Sequence, residues 1–341
     1  MIRKFLAFIL MFALVMSFGT AHADSVTYID ADRTSKTCEN YTLLTDQTTW
    51  SGWYVASETV NISGRVTVNG EAHLILTDGA QLSIPEGITV NENNSLTIYG
   101  QSANTGTLTI NGVAPEFAGI GGHEWMDGGT ITINGGTVNV TGGDSATAIG
   151  GGYMGNGGII TINGGNITAR GGYLGIGIGS CSKSHEFFGS ATIVIKGGKV
   201  NATGGSLGAV YEAGIESELG TITIGWTDET DSVTTNLFIG TVTIKDGQMM
   251  TDGTDYYSGT LTNDQRVALR GKTLSPVPTA HTVTIGTVTG GSVTADNPIV
   301  RAGETVTVTT GTGYRIVSAK FNDSDITITD GQERSPCPTR T

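Results

Sequence analysis

The chain has 341 residues, 52 of them glycine, and a formal net charge of −13. This acidic balance disfavours nucleic acid and anionic membranes as partners, and it is compatible with neutral sugars, basic partners or calcium. The length allows one large domain and a smaller one, and the strand-like periodicity between the glycines favours an ordered fold over a low-complexity chain.

Residues 1–23 have the pattern of a secretory signal peptide. Arg3 and Lys4 form a basic start, 5–18 is apolar, and Ala21-His22-Ala23 is a small-x-small cleavage site. Removal of this segment takes away two positive charges and no negative one, so the net charge would move from −13 to −15. Since no later apolar run is long enough to span a bilayer, we expect a secreted or cell-surface protein without membrane insertion after cleavage.

Residues 24–57 are predicted to form an N-terminal cap, in which Trp50, Trp53 and Tyr54 plug the end of the following domain. A periodicity of 22 residues then begins. It matches 60–62 with 82–84, 66–68 with 88–90, and 74–76 with 96–98. The predicted repeat domain therefore covers residues 58–250.

A glycine-rich repeat dominates residues 107–224. Three short phrases recur in it: Ile131-Thr132-Ile133-Asn134-Gly135-Gly136, then Thr137-Val138-Asn139-Val140-Thr141-Gly142-Gly143, then Ala148-Ile149-Gly150-Gly151-Gly152. Apolar and polar residues alternate with a period of two, which places the isoleucines on one face of each strand. Three strands per unit, stacked over many units, predict an all-β fold: a right-handed parallel β-helix, or solenoid.

Glycine pairs and asparagines mark the predicted corners, because both residue types tolerate a positive φ. Asn111, Asn134 and Asn163 precede these pairs at matching positions, in copies that start at residues 108, 131 and 160. We predict a structural ladder of amides along the stacking axis, broken by Lys196 in the next copy.

The C-terminal third changes character. Thr262 to Gln265 reads as a capping box that opens a helix over 263–270, within a C-terminal cap at 251–273. A proline-containing linker follows at 274–280, and then a small module of antiparallel strands at 281–331. The ending, 332–341, is predicted to be disordered. Three cysteines, at 38, 181 and 337, predict no disulfide framework.

The candidate binding site lies in the loops before the first phrase of each unit. Trp125, Met154 and Phe187 each stand six residues before an isoleucine of that phrase, so stacking would align them in one column. Its full set also contains neighbouring aromatic and acidic residues, namely Tyr153, Phe188, Glu124, Asp127 and Glu186. Aromatic faces can meet the apolar faces of sugar rings while carboxylates accept hydroxyl protons, which favours carbohydrate binding.

Two other interpretations of these loops stay open. The aromatic residues can fold back and seal the edge of the stack. His123 and His185 can bind a metal with Glu124 and Glu186, and calcium is the cofactor that the acidic loops allow.

The repeats resemble the glycine-rich units of large bacterial cell-surface proteins, some of which are non-catalytic carbohydrate-binding β-helix proteins. This resemblance covers about residues 40–275 and implies adhesion or glycan binding at a cell surface. The tail motif, with 290–293, 302–306 and 313–314, resembles the internalin B-repeat type of surface module and implies display rather than chemistry.

No catalytic motif is evident. The patterns typical of pectinase-type β-helix enzymes, Asn-x-Asp, Asp-Asp, Gly-His-Gly and Arg-x-Lys, are missing, and hydrolysis requires paired carboxyl groups. Arg170 is the only arginine between Arg65 and Arg266, which argues against a lyase. The sequence therefore favours a non-catalytic glycan-binding protein over a structural or adhesive protein with protein partners, and over a polysaccharide lyase or hydrolase.

Overall fold

A computed structural model describes residues 25–181, 189–205 and 213–277, and the short segments 281–282, 292–295, 299–300, 305–312, 319–321, 324–326 and 334–336. This described part is nearly all β-strand, with large parallel sheets and one six-residue helix. The predicted all-β class is therefore confirmed. The predicted signal peptide lies outside the described residues.

The first thirteen strands are short apart from β4 and β6. They are, in chain order, β1 (Val26–Ile29), β2 (Ser35–Cys38), β3 (Thr42–Leu43), β4 (Thr49–Ala56), β5 (Thr59–Asn61), β6 (Val66–Leu76), β7 (Gln81–Ser83), β8 (Ile88–Thr89), β9 (Ser95–Tyr99), β10 (Thr107–Ile110), β11 (Ile120–Gly121), β12 (Thr130–Ile133) and β13 (Thr137–Thr141).

The next elements continue the same pattern as far as helix α1 and the strand that follows it. They are β14 (Ile149–Gly150), β15 (Gly158–Ile162), β16 (Asn166–Arg170), β17 (Ile178–Gly179), β18 (Ala191–Ile195), β19 (Lys199–Thr203), β20 (Ile215–Ile224), β21 (Ser232–Thr235), β22 (Phe238–Ile244), β23 (Met250–Thr251), β24 (Tyr256–Tyr257), α1 (Asn263–Ala268) and β25 (Thr273–Pro276).

Ten of these strands form sheet I, in the order β24-β23-β25-β21-β19-β16-β13-β10-β7-β5. Its pairs from β5 to β21 are parallel, and its last three strands run antiparallel. The register follows the repeat, since Val138 pairs with Ile167, and Ile167 with Val200. The second phrase of each unit therefore builds this sheet.

Sheet II has thirteen strands and contains two parallel rows. Row IIa joins β8, β11, β14 and β17, and row IIb joins β9, β12, β15 and β18. The long strands β6, β20 and β22 belong to both rows, because their first residues pair in row IIa and their last residues in row IIb. From β7 to β18 the chain visits sheet I, row IIa and row IIb in that repeated order.

One hydrophobic core runs between the sheets from Leu44 to Leu274. Alternation directs one isoleucine column inward in row IIb, where Ile131, Ile160, Ile193 and Ile222 pair in register and expose 1% or less of their surface. Stacked copies thereby bury a continuous core that a single short strand could not supply.

Two registers differ from the sequence prediction. Strand β10, expected to be the leading copy of the first phrase, pairs with β7 and β13 in sheet I, and the partner of Ile131 is Leu96. In β6, Leu74 pairs with Ile98 instead of Leu96, because this long strand carries two more residues around the corner. The other offsets of 22 residues, Val60 with Leu82 and Val66 with Ile88, are confirmed.

An N-terminal hairpin, β1 with β2, lies across several repeats. The amide of Ile29 donates to the carbonyl of Gly100, and the guanidinium of Arg33 contacts the Asp231 carboxylate at 3.1 Å. Asp231 also accepts hydrogen bonds from the backbone amides of Gly198 (2.7 Å) and Thr227 (2.9 Å). The hairpin is thus tied to residues nearly 200 positions away in the sequence.

The predicted capping box is present at α1: the Gln265 amide donates to the Thr262 hydroxyl at 3.3 Å, and the Thr262 amide to the Gln265 side chain at 2.9 Å. The helix ends two residues before the predicted position. The predicted linker is wrong in its first half, because β25 is a strand between β21 and β23 with Leu274 buried. Leu274 alternates with polar neighbours, as is typical of a strand with one buried face. This pattern predicts the strand, whereas the prolines had indicated a linker.

Antiparallel pairs follow in the C-terminal segments: β26 (His281–Thr282) with β28 (Ile299–Val300), β27 (Val293–Ala295) and β32 (Arg334–Pro336) with β29 (Thr305–Thr310), and β30 (Ala319–Phe321) with β31 (Ser324–Ile326). The predicted disorder of 332–341 is wrong at β32, which completes a three-stranded sheet. The predicted strand 314–317 and Cys337 lie outside the described residues.

Among the described residues, every helix is too short and too polar to cross a membrane.

A prediction arises at the turn after β23, where Asp252 accepts hydrogen bonds from the backbone of Asp255 (2.7 Å) and contacts Lys272 at 2.5 Å. These partners, the Asp255 amide foremost, hold the pKa of the Asp252 carboxyl well below its usual range. A depressed carboxyl pKa stabilises the folded state above the unfolded value of about 4 and less as the pH falls below it. Asp252→Asn should therefore lower the thermal midpoint at neutral pH, and the difference from wild type should shrink in acid.

Thermal unfolding of both proteins across the acid range measures this effect. Asp246→Asn, at an exposed position after β22, is the matched control and should leave the pH dependence unchanged. A difference between Asp252→Asn and wild type that stays constant with pH would contradict the assignment.

Candidate functional site

The corner loops, which connect row IIa to row IIb, carry the residues that the sequence singled out. Trp125 and Met154 occupy equivalent positions in successive loops, and both adopt a left-handed backbone, with φ of 60° and 59°. The Trp125 amide donates to the Tyr153 carbonyl at 2.9 Å, and the Met154 amide to the Cys181 carbonyl at 3.1 Å. Hydrogen bonds between neighbouring loops thus continue the stacking of the strands and hold these residues in a conformation uncommon for non-glycine residues.

Trp125 is the most exposed aromatic of the described site residues, with 64% of its surface accessible. Its indole meets the Tyr153 ring edge to face, with centroids 5.7 Å apart. Its Nε1–H donates to the Glu124 carboxylate at 2.8 Å. Tyr153 and Glu124 therefore fix the orientation of the indole ring, while most of the side chain stays open to solvent. This exposure does not agree with the interpretation that Trp125 seals the stack.

Tyr153 and Met154 are half-buried, so the exposed apolar surface is discontinuous at this repeat. Two exposed apolar residues of the same corner were missed by the sequence analysis. Met126 follows Trp125 and is 40% exposed, and Leu219, in the corner of β20, is 68% exposed. The alignment of loops on six-residue spacing could not find Leu219, because its loop is shorter.

Asp127 does not behave as a free ligand group. Its two carboxylate oxygens accept hydrogen bonds from the backbone and the side chain of Asn156, at 2.8 and 3.0 Å, and Asn156 in turn accepts from the Ser190 amide at 2.9 Å. Asp127 and Asn156 stand at equivalent positions, so this is a side-chain ladder that joins three successive loops. Asp127 therefore has a structural role in the loops, and its predicted role in sugar or calcium binding stays a prediction.

The remaining site residues, Glu186, Phe187 and Phe188, lie outside the described residues, as does His185. Among the residues that the structure does describe, no group of three His, Cys, Asp or Glu side chains is placed to hold a metal ion.

The asparagine ladder involves two of its three predicted members. The buried Asn163 side chain donates from Nδ2 to the side-chain oxygen Oδ1 of Asn134 at 2.7 Å, and Asn134 Nδ2 donates to the Asp30 carboxylate of the hairpin at 3.4 Å. Asn111 is exposed and follows β10 in sheet I, so its placement in the ladder is a correction that follows from the register of β10. Lys196 is exposed at the next position.

A second aromatic cluster forms on the outer face of row IIb, under the hairpin. Trp53 stacks on His73 with centroids 4.2 Å apart, and Tyr28 meets Tyr99 edge to face at 4.6 Å. Trp53 therefore differs from its predicted role as a plug, because alternation turns it away from Trp50. Burial lowers the pKa of His73, although Glu71 lies 3.3 Å away. A neutral imidazole suits this packing role.

Comparisons with protein-family models, with curated proteins and with solved structures found no match to this chain.

Proposed function

We propose that this chain is an exported, non-catalytic cell-surface protein that binds carbohydrate along the corner loops of a right-handed parallel β-helix. The fold part of the proposal rests on the three parallel rows and on the fixed order in which the chain visits them. Rows joined through the long strands β6 and β20 enclose the main core, as the turns of a solenoid would.

The exposed indole of Trp125 is the observation that carries the binding part. The ring is 64% exposed and stands beside another exposed apolar side chain, Met126, and adjacent exposed apolar side chains are typical of an interaction surface. The ring offers a flat face to the apolar face of a pyranose, while the carboxylate of Glu124, which lies beside the ring, provides an acceptor for sugar hydroxyls. Leu219 is a separate exposed apolar side chain farther along the corner.

This arrangement favours a glycan over a small molecule. Trp125 and Met154 occupy equivalent positions in successive loops, one strand spacing of about 4.8 Å apart, and contacts at successive loops suit an extended chain of similar units better than a compact ligand. Each contact is weak, so affinity comes from several contacts together. The same reasoning makes the resemblance to glycine-rich bacterial surface proteins part of the proposal.

The test is a glycan array probed with the mature chain from Asp24, with and without calcium. We expect defined hits that Trp125→Ala weakens by about tenfold or more, the loss of roughly 1.4 kcal/mol that one aromatic contact supplies. Both Asp127 carboxylate oxygens already accept hydrogen bonds from Asn156, so we expect no calcium ion at this carboxylate. Chelation of calcium should therefore leave these hits unchanged.

Tyr173→Ala is the matched control. Tyr173 is also an exposed aromatic residue, 49% accessible, but it lies in the loop before Ile176 and Ile178, away from the Trp125 loops. Its removal should spare binding. A blank array from a folded protein would overturn the proposal and leave the structural or protein-binding interpretation, and equal losses in both variants would show that the corner loops are not the site.

A further inference from the structure

A cleft of about 350 Å³ opens where the corner loops approach the C-terminal helix. Its walls include Glu218, Ile239, Thr241, Thr260, Leu261 and Arg266. These residues come from β20, β22, the segment before α1, and α1 itself. The cleft lies four strand steps beyond Trp125 along the rows, or about 19 Å at the usual strand spacing. Its volume is that of a site for one or two sugar rings.

Arg266 is the cationic residue of this cleft, and its guanidinium does not have a hydrogen-bond partner for every donor. One terminal nitrogen donates to the Asn263 side chain at 3.3 Å, but the Nε is buried and lacks a hydrogen-bond partner. Within the described part of the chain, no carboxylate lies at ion-pair distance from Arg266. The two terminal nitrogens of the guanidinium can still meet a ligand carboxylate through two parallel hydrogen bonds.

The other walls supply what the rest of a sugar ring needs. The Glu218 carboxylate and the Thr241 hydroxyl are exposed and can accept or donate hydrogen bonds with ring hydroxyls. The Thr260 hydroxyl already meets the Thr243 hydroxyl at 3.1 Å and keeps its remaining capacity for a ligand. Ile239 and Leu261 add apolar surface to the same cleft.

We propose that this cleft binds a hexuronic acid residue, with the ligand carboxylate on Arg266 and its hydroxyls on Glu218, Thr241 and Thr260. The inference rests on the proposed carbohydrate role and names an acidic sugar as its ligand class. A phosphate group fits less well, since Glu218 would face its higher negative charge. The net charge of −13 repels an anion at long range, but salt screens that repulsion beyond about 8 Å and leaves the local contact.

The experiment measures binding of galacturonic, glucuronic and mannuronic acid, as monosaccharides and disaccharides, against the matching neutral sugars. We use the mature chain, Arg266→Gln, Trp125→Ala and the control Arg170→Gln, which makes the same change of charge on an exposed position of β16. At least one uronate should bind, and Arg266→Gln should weaken it about tenfold or more, whereas Arg170→Gln should not. Added salt should weaken uronate binding and leave neutral-sugar binding almost unchanged.

The outcomes separate the two proposals. Uronate binding that is unchanged in Arg266→Gln, equal affinity for acidic and neutral sugars, or no uronate binding at all would overturn the cleft. Neutral-glycan binding that survives in Arg266→Gln but is lost in Trp125→Ala would support the corner loops as a glycan site and would give no support to the cleft. Uronate binding that depends on Arg266 but not on Trp125 supports the cleft even where the array shows no neutral glycan. Matching thermal midpoints of the four proteins exclude misfolding as the cause.

Discussion

Gly150→Ala is expected to destabilise the protein severely, by more than about 4 kcal/mol. Losses of this size occur only when a substitution disrupts the core or strains the backbone. Gly150 has a φ of +132°, outside the regions that residues with a side chain adopt. A Cβ there would overlap the carbonyl oxygen of Gly179 and lie 2.9 Å from its carbonyl carbon. Because Gly150 pairs with Gly121 and Gly179 in row IIa, the strand cannot move aside without separating three repeats. The midpoint of urea unfolding measures the loss.

The control separates backbone strain from collision. Gly79 also has a positive φ, +85°, but nothing lies within 4 Å of a Cβ built on it. Gly79→Ala should therefore cost only about 1 kcal/mol, the penalty of a left-handed alanine. Similar losses in the two variants would show that row IIa tolerates a side chain, and the packing described for it would be wrong.

The core of this fold was predictable from the sequence because its signal is repeated. Ile131, Ile160, Ile193 and Ile222 occur in the same short phrase, and strands in register place identical residues side by side. Alternation with threonine then leaves one choice for the buried face. Because the phrase recurs, the sequence itself indicates which residues pair between neighbouring strands. A single strand gives no such indication of its register.

The assignment of β10 to the first phrase was wrong because the phrases share one alternating pattern, the same pattern that predicts the core correctly elsewhere. The phrase 108–112 reads like the first phrase, but Leu108 pairs with Val138 of the second. Both phrases alternate apolar and polar residues between glycines, so the local pattern cannot tell which sheet receives an incomplete copy. Only pairing with β7 on its other side decides it. The misplaced ladder position of Asn111 follows from that single error.

The site was predictable in position more than in chemistry. Spacing aligned Trp125 with Met154, and their equal left-handed conformations agree with that alignment. Spacing could not show that Asp127 would be held by Asn156, since both residues look equally available in the sequence. Nor could it show the cleft at Arg266, whose walls come from four separate segments without a shared pattern.

The N-terminal end of the core gives the second large expected effect. Trp50→Ala should destabilise the protein by about 3–5 kcal/mol, as for other buried aromatic residues. Trp50 is buried without exposed surface, stacks on Tyr54 with centroids 5.4 Å apart, and donates its Nε1–H to the Gln47 carbonyl at 2.9 Å. Alanine would leave a cavity at the terminal layer and a carbonyl without its donor. Urea unfolding gives the loss.

Removal of Trp50 should also change association, because it opens the end of a stack whose strands are ready to pair with another edge. We expect Trp50→Ala to form higher oligomers in light scattering, whereas Trp50→Phe should stay closer to wild type since it keeps most of the ring. Trp53→Ala is the second control: Trp53 is partly exposed and packs on His73 outside the core, so its loss should cost less and leave association unchanged. If Trp53→Ala were the more aggregation-prone of the two, the outer aromatic cluster and the hairpin over it would be the true cap, and Trp50 only a well-packed core residue.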